Sequence, residues 1–368
     1  MNLLEFLCSP EETCKRRGPN DRIVLSSRVR LARNLREFSF PGWVKKPERL
    51  KSYEIIREAV ENMPQMAGGY LEAMDNLSLL DKQVLVERHL ISREHAAKNA
   101  GSGMALSRDH QYCVMINEED HLRMQALMPG LQIKEVWAAM DHLDTELEKK
   151  LEFAFSPTLG YLTACPTNVG TGIRVSAMLH LPGLVLADQV NQIIQAVNKL
   201  GFAVRGLYGE GTEALGNIFQ VSNQMTLGES EQEIVERLCK VLAQLIEHEE
   251  NARGTMLEKK PKVLFNHIGR GYGILANAHS ISSKETMNLL SLMRLGLDMS
   301  LFPGMERSLL DELFLITQPA HLQMRFTEKL NADDRDIRRA DMLRDRLRDI
   351  RRPNPYPPGE TGGKLDKS

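Results

Sequence analysis

The chain has 368 residues, 42% of them hydrophobic and 26% charged, which allows a sizeable core and two or three domains. A formal net charge of -2 removes any global case for nucleic-acid binding, which needs an excess of Lys and Arg. No run of about 20 apolar residues predicts a membrane span. The opening MNLLEFLCSPEETCKRR has its acids early and its bases late, unlike a secretory leader.

The cysteines, Cys8, Cys14, Cys113, Cys165 and Cys239, are odd in number, scattered and without a CxxC pair. That argues against a disulfide framework or a zinc site and for a reducing, cytoplasmic setting.

Residues 22–33, RIVLSSRVRLAR, alternate apolar and polar and predict a strand. Helical spacing covers 48–63. Strands are expected at 111–117, 159–165, 173–181, 202–207 and 217–223, with a helix at 188–200. The run GESEQEIVERLCKVLAQLIEHEE predicts a long amphipathic helix. Short links between strands favour a largely antiparallel sheet, so the expected class is α+β. From 255 onward helices dominate. SSKETMNLLSLMRLGLDM opens on a capping box, Ser282 with Glu285. The expected organisation is a catalytic domain at 1–254, a helical domain at 255–352 and a disordered Pro- and Gly-rich tail at 353–368.

Arginine placement carries the first chemical signal. Arg28 and Arg30 lie two apart on a strand and share a face. Arg123, Arg174 and Arg205 each sit at a strand edge beside a glycine turn or a polar motif. Together they suit a polyanion, because guanidinium forks match phosphate oxygens. The usual phosphate loops, GxxxxGK[ST] and a strand-linked GxGxxG, are absent, as are the HRD and DFG kinase motifs. Acids carry the second signal. NEEDH brings Glu118, Glu119 and Asp120 together, and YGEGTE carries Glu210 and Glu213. Facing carboxylates suit a guanidinium substrate. On a strand, Glu119 would face away from Glu118 and Asp120, which ranks it as the single base.

VLSSRVRLARN, INEEDHLRMQ, CPTNVGTGIRVSAMLHLP and RGLYGEGTEALGNIFQVSNQMTLG resemble the guanidino kinases over roughly 20–250. Among these the chain is most similar to the bacterial protein arginine kinases. Only 25 residues precede SSRVR, where phosphagen kinases carry a helical domain. The C-terminal region also carries RDIRRA at 335–340, like the RDxxRA of the protein arginine kinases.

The resemblance implies a guanidino-kinase catalytic domain and an all-helical C-terminal domain for dimerisation and phosphoarginine binding. It implies ATP contacts from Ser26, Ser27, Arg28, Val29, Arg30, His89, Arg123, Arg174, Val175, Ser176, Ala177, Met178, Arg205, Gly206, Leu207, Tyr208, Gly209 and Glu210. Glu119 and Glu210 would hold and deprotonate the guanidinium, and Cys165 would be the active-site cysteine. Arg335, Asp336, Arg338, Arg339 and Ala340 would bind phosphoarginine allosterically. Mg²⁺ would arrive with ATP, with no metal site made by protein ligands alone. Tyr208, where arginine phosphagen kinases have an arginine, and the shortened segment before NEEDH are departures on the guanidine side.

The implied activity is ATP-dependent phosphorylation of arginine side chains in proteins, marking them for Clp degradation in a stress response. Implied partners are a zinc-finger activator, a heat-shock repressor and a Clp unfoldase, with the chain a homodimer or higher oligomer. No direct nucleic acid or membrane partner is expected. Two alternatives remain: a phosphagen kinase acting on free arginine or another small guanidine, and an inactive phosphoarginine-binding adaptor.

Overall fold

The computed structural model describes residues 3–7, 12, 14–206 and 214–354. An eight-stranded sheet runs in the order β2-β3-β4-β5-β1-β8-β10-β9, with every pairing antiparallel. Its strands are β1 (Val24–Arg33), β2 (Tyr70–Ala73), β3 (Gly103–Leu106), β4 (Tyr112–Ile116), β5 (Leu122–Pro129), β8 (Ile173–His180), β9 (Phe202–Gly206) and β10 (Ile218–Asn223). A separate hairpin joins β6 (Phe155–Ser156) to β7 (Gly160–Tyr161).

Period-two alternation divides the large sheet into two faces. On one face Val29, Leu31, Val175, Leu179 and Val221 are fully buried. They join a core with the helices Ile133–Glu148 and Glu231–Lys259. The first of these helices is not among the expected elements. Its buried Ile133, Val136, Met140, Leu143 and Leu147 nonetheless follow a three-four spacing. The opposite face is covered at its β2–β4 end by the helix Leu79–Glu87, through Val84 and Leu85 against Met104, Leu106 and Met115.

Two expected strands end differently. The 159–165 segment is extended only at Gly160–Tyr161. Beyond it the Leu162 N–H goes to Ala154 O, the Ala164 N–H to Asp120, and Pro166 opens a 3₁₀ turn. NEEDH is not a strand but the loop between β4 and β5. Asn117 takes a φ of 55°, a left-handed conformation Asn tolerates, and its amide donates to Gly101 O (2.7 Å) and Arg49 O (3.0 Å).

The helix Glu231–Lys259 starts at a reciprocal cap between Ser230 and Glu233 and continues unbroken past residue 254. Its Ala252 belongs to the core beneath the sheet and its Met256 to a second core, built by C-terminal helices. One rigid rod therefore enters both cores, with no linker at 254–255. The helices Pro261–Asn277, Ser283–Asp298, Arg307–Ile316 and Ala332–Leu347 close that second core. The Leu- and Met-rich stretch MNLLSLMRLGLDM packs into it: Leu290, Met293 and Leu295 are fully buried.

Glu249 is completely buried on the rod. One carboxylate oxygen accepts from Gly183 N (2.8 Å) and Arg253 Nε (2.6 Å), the other from Leu184 N (2.9 Å). Removing it strands two buried amides and takes one of two carboxylate partners from Arg253, which keeps Asp298 (2.9 Å). Glu249→Ala is expected to lower unfolding free energy by about 3–5 kcal/mol in denaturant titration.

Candidate active site

Strand register brings the five arginines together. Arg30 on β1 pairs across to Arg174 on β8 and to Gln125 on β5. Arg28 lies opposite Ser176, Arg123 opposite Ala32, and Arg205 opposite Gln220 on β10. By strand alternation all five point from the sheet face opposite the apolar core. Among the described residues few acids offset them. Arg28 donates to Gln220 Oε1 (2.8 Å), and Arg174 to Asn223 O (3.0 Å). Arg30 Nε is buried and, among the described residues, has no hydrogen-bond partner.

The charges feel one another. Burial, then Arg123, pulls Arg28 down to about 10. Arg30 falls well below its ordinary value through burial, then Arg28, Arg123 and Arg174, with Glu118 opposing. Arg174 is lowered by burial, then by Arg205 and Arg123, while Cys165 acts the other way. Four half-buried like charges and the exposed Arg205, with an orphaned donor among them, suit a polyanion.

The NEEDH loop stands at the edge of this cluster, and its acids have separate environments. Glu118 is buried and paired with Arg123 (2.6 Å), and Ser92 also hydrogen-bonds it. Burial works to raise its pKa, but Arg123 and these hydrogen bonds prevail and hold it below the ordinary value. Asp120 is buried, and one oxygen accepts from Asn34 Nδ2 and from Ala164 N, each at 2.6 Å. Glu119 is exposed and, among the described residues, forms no hydrogen bond or ion pair. Partial burial, then Asp120, raises its pKa above the ordinary 4.5. Glu119 thus differs from its neighbours through loop geometry, not through strand alternation.

Asn34, which sequence reasoning did not single out, is the hub. Its amide reaches Asp120 and Leu162 O (3.0 Å), and its oxygen accepts from His121 N (2.9 Å). These bonds tie the loop of Glu119 to the segment that carries Cys165. Cys165 is half-buried, with its sulfur 3.0 Å from Thr167 Oγ1. No local signal marks Asn34, because its partners lie 86 to 128 positions away.

His89 follows the helix Leu79–Glu87 at a φ of 58°, and its carbonyl accepts from Gln125 (2.9 Å). Burial, then Arg28, brings its imidazole down to about 4, so it is neutral at pH 7. Ser26, His89, Leu127 and Met178 line one side of a cavity of about 350 Å³, and Met287 and Phe314 line the C-terminal side. Val29, Val175 and Ala177 face the apolar core. Ser27 is buried, donating to Gly130 O and accepting from Gln132 N. These four side chains do not join the cluster. Gly206 ends β9, and Leu207, Tyr208, Gly209, Glu210 and Glu213 lie outside the described residues.

RDIRRA lies far along the chain, on the helix Ala332–Leu347. Arg339 is buried, giving Nε to Thr317 O (2.8 Å), Nη1 to Ile281 O (2.8 Å), and pairing with Asp336. Ala340 is fully buried in the helical core and leaves no opening at the surface. Arg335 is half-buried, and the exposed Arg338 lies 5.4 Å from the Phe326 ring. Among the described residues no group of three or more His, Cys, Asp or Glu is placed to hold a metal ion. No described helix is long and apolar enough to cross a membrane.

An antiparallel sheet with an arginine-lined face and an adjoining acid loop defines a guanidino phosphotransferase. Residues 51–252 match the family described as "ATP:guanido phosphotransferase, C-terminal catalytic domain". Solved structures agree on the fold. A lombricine kinase is similar with a TM-score of 0.56 at 24% identity, over 66% of this chain and 71% of that one. A duplicated taurocyamine kinase from Schistosoma mansoni gives 0.57 at 25%, over 77% and 41%.

Residues 261–357 match the "Protein-arginine kinase McsB C-terminal domain". Curated relatives named protein-arginine kinase include one from Halothermothrix orenii, 44% identical over 90% of this chain and 94% of that protein. One from Bacillus subtilis is 46% identical over 90% and 92%. The chain belongs to the protein-arginine kinase family.

Asn34→Ala should loosen the NEEDH loop and the Cys165 segment together. A misplacement near 1 Å costs on the order of a hundredfold in turnover. We expect kcat to fall by that order while ATP affinity, measured calorimetrically, stays within about twofold, because the arginines lie on other strand positions.

Proposed function

We propose that this enzyme transfers the γ-phosphoryl group of MgATP to arginine side chains of proteins. The observation that carries the chemistry is the arginine cluster with its unpaired Arg30 donor, standing beside an exposed carboxylate of raised pKa. Arg28, Arg30, Arg123, Arg174 and Arg205 bind the phosphates. The adenine of ATP lies in the cavity lined by Ser26, His89 and Met178. Mg²⁺ bound with ATP neutralises phosphate charge.

A guanidinium is a poor nucleophile, since its lone pair is delocalised and it stays protonated. Glu119 grips one edge, holds a nitrogen in line and takes its proton as the phosphorus–nitrogen bond forms. Glu210 is assigned the opposing carboxylate by family position. Cys165 is assigned to the guanidinium side by family position. Phosphoryl transfer has a charge-dispersed transition state, so most of the acceleration comes from positioning and fixed charge.

Arg335, Asp336 and Arg338 present the charge expected of a phosphoarginine sensor at the C-terminal body. Arg339 shapes that segment from within. The wider setting, also by family, is a cytoplasmic enzyme that marks proteins for a Clp unfoldase under stress. A zinc-finger activator, a heat-shock repressor and self-association complete it.

Incubation with MgATP and either a folded protein or free arginine tests the substrate class. Acid-labile label on the protein is expected; robust turnover of free arginine with an unlabelled protein would overturn the reading. Glu119→Gln should lower kcat by roughly 10²–10⁴. Because the base must be deprotonated, kcat/KM should fall as pH drops through an apparent pKa above the ordinary 4.5. Glu119→Gln should lose that acidic limb.

A further inference from the structure

We infer that a cleft beside the Cys165 turn docks the polypeptide flanking the target arginine, taking an apolar side chain from an extended segment of the protein substrate. This rests on the protein-arginine reading above and adds where the rest of the substrate sits.

The cleft, of about 600 Å³, lies between the β6–β7 hairpin and residues 226–231. Phe155, Leu159, Tyr161 and Leu227 line it, together with Glu229 and Glu231. Phe155 is 57% exposed, Leu159 47% and Leu227 49%. Large apolar side chains gathered in water around one concavity mark an interaction surface.

The surface is preformed. Arg33, held by Asp144 through two nitrogens, lies 3.5 Å over the Tyr161 ring. Phe155 packs edge-on against the same ring at 5.2 Å. Tyr161 exchanges backbone hydrogen bonds with Gly170, fixing the hairpin to the glycine turn.

The occupant follows from continuity with the reaction site. Thr226, in the cleft wall, donates to Thr167 O (3.0 Å), and the Thr167 hydroxyl lies 3.0 Å from the Cys165 sulfur. An arginine reaching Glu119 and Cys165 from a protein must carry its chain neighbours across this ground. In an extended chain, residues two and four positions from the arginine share its face, spaced about 6–7 Å apart per pair. Charge agrees: Glu229 is paired with Arg237, whereas Glu231 has no ion pair among the described residues and favours a cationic flank.

The test uses single-arginine peptides with Leu, Ser or Asp two and four positions away, assayed by phosphoryl transfer from labelled ATP. The wild-type enzyme and a Leu159→Ser/Leu227→Ser variant are compared. Both positions are exposed, and circular dichroism checks the fold. We expect wild-type KM roughly tenfold lower for the Leu peptide than for Ser, about 1.4 kcal/mol, and highest for Asp. The variant should lose the preference with kcat and the ATP KM unchanged. An arginine-free Leu peptide should compete in the wild type and not in the variant. Labelling with no flank preference, or one the variant retains, overturns this inference alone. No labelling of any peptide or protein arginine, with turnover of free arginine, overturns the protein-arginine reading and takes this inference with it.

Discussion

Guanidinium groups from four strands crowd one face of an antiparallel sheet, and their mutual repulsion is held in place by the apolar packing behind it. Among the described residues, Arg28, Arg30, Arg123, Arg174 and Arg205 gain no comparable number of buried acids. What keeps them there is Val29, Leu31, Val175 and Val221 on the reverse face, packed against two long helices. The hydrophobic contribution of that core, spread over dozens of side chains, exceeds the electrostatic cost of concentrating the cations. The arginine cluster is therefore formed by the fold itself, and an anion bound to it would relieve repulsion as well as add contacts.

The acid loop obeys a second constraint. Three adjacent carboxylates at a strand end repel one another, and the fold answers by giving them different partners. Arg123 neutralises Glu118, while Asn34 and the Ala164 amide both donate to one oxygen of Asp120. Of the three, Glu119 alone is exposed and, among the described residues, unpaired. The same hydrogen bonds orient the Cys165 segment, so one small buried network sets both the acid loop and that segment. Such networks are strong when complete and fail as a unit.

The C-terminal body is joined to the sheet by more than its shared rod. Glu87, two residues before His89, accepts from the Ala320 and His321 amides at 2.7 and 3.0 Å. The buried, neutral His180 meets Ser291 at 2.8 Å, and Ser291 also accepts from Asn217. Helical residues thus close one wall of the cavity assigned to the adenine. Buried Arg339 is satisfied by two carbonyls of its own body and by Asp336.

The sequence alone determined the chemistry and the periodic elements. Alternation marked β1, β4, β8 and β10, the arginine and acid motifs named the reaction class, and helical spacing marked the rod. These are local properties, written in runs of neighbouring residues. Tertiary structure decided what depends on contacts between distant positions. Register put five arginines on one face; Asn117, in a left-handed turn, made NEEDH a loop; Asn34 joined segments more than eighty residues apart. It also buried Arg339, Ala340 and Leu290, whose composition reads equally well as surface or interface. Burial and cross-strand pairing arise only when the chain closes on itself, so no window of sequence contains them.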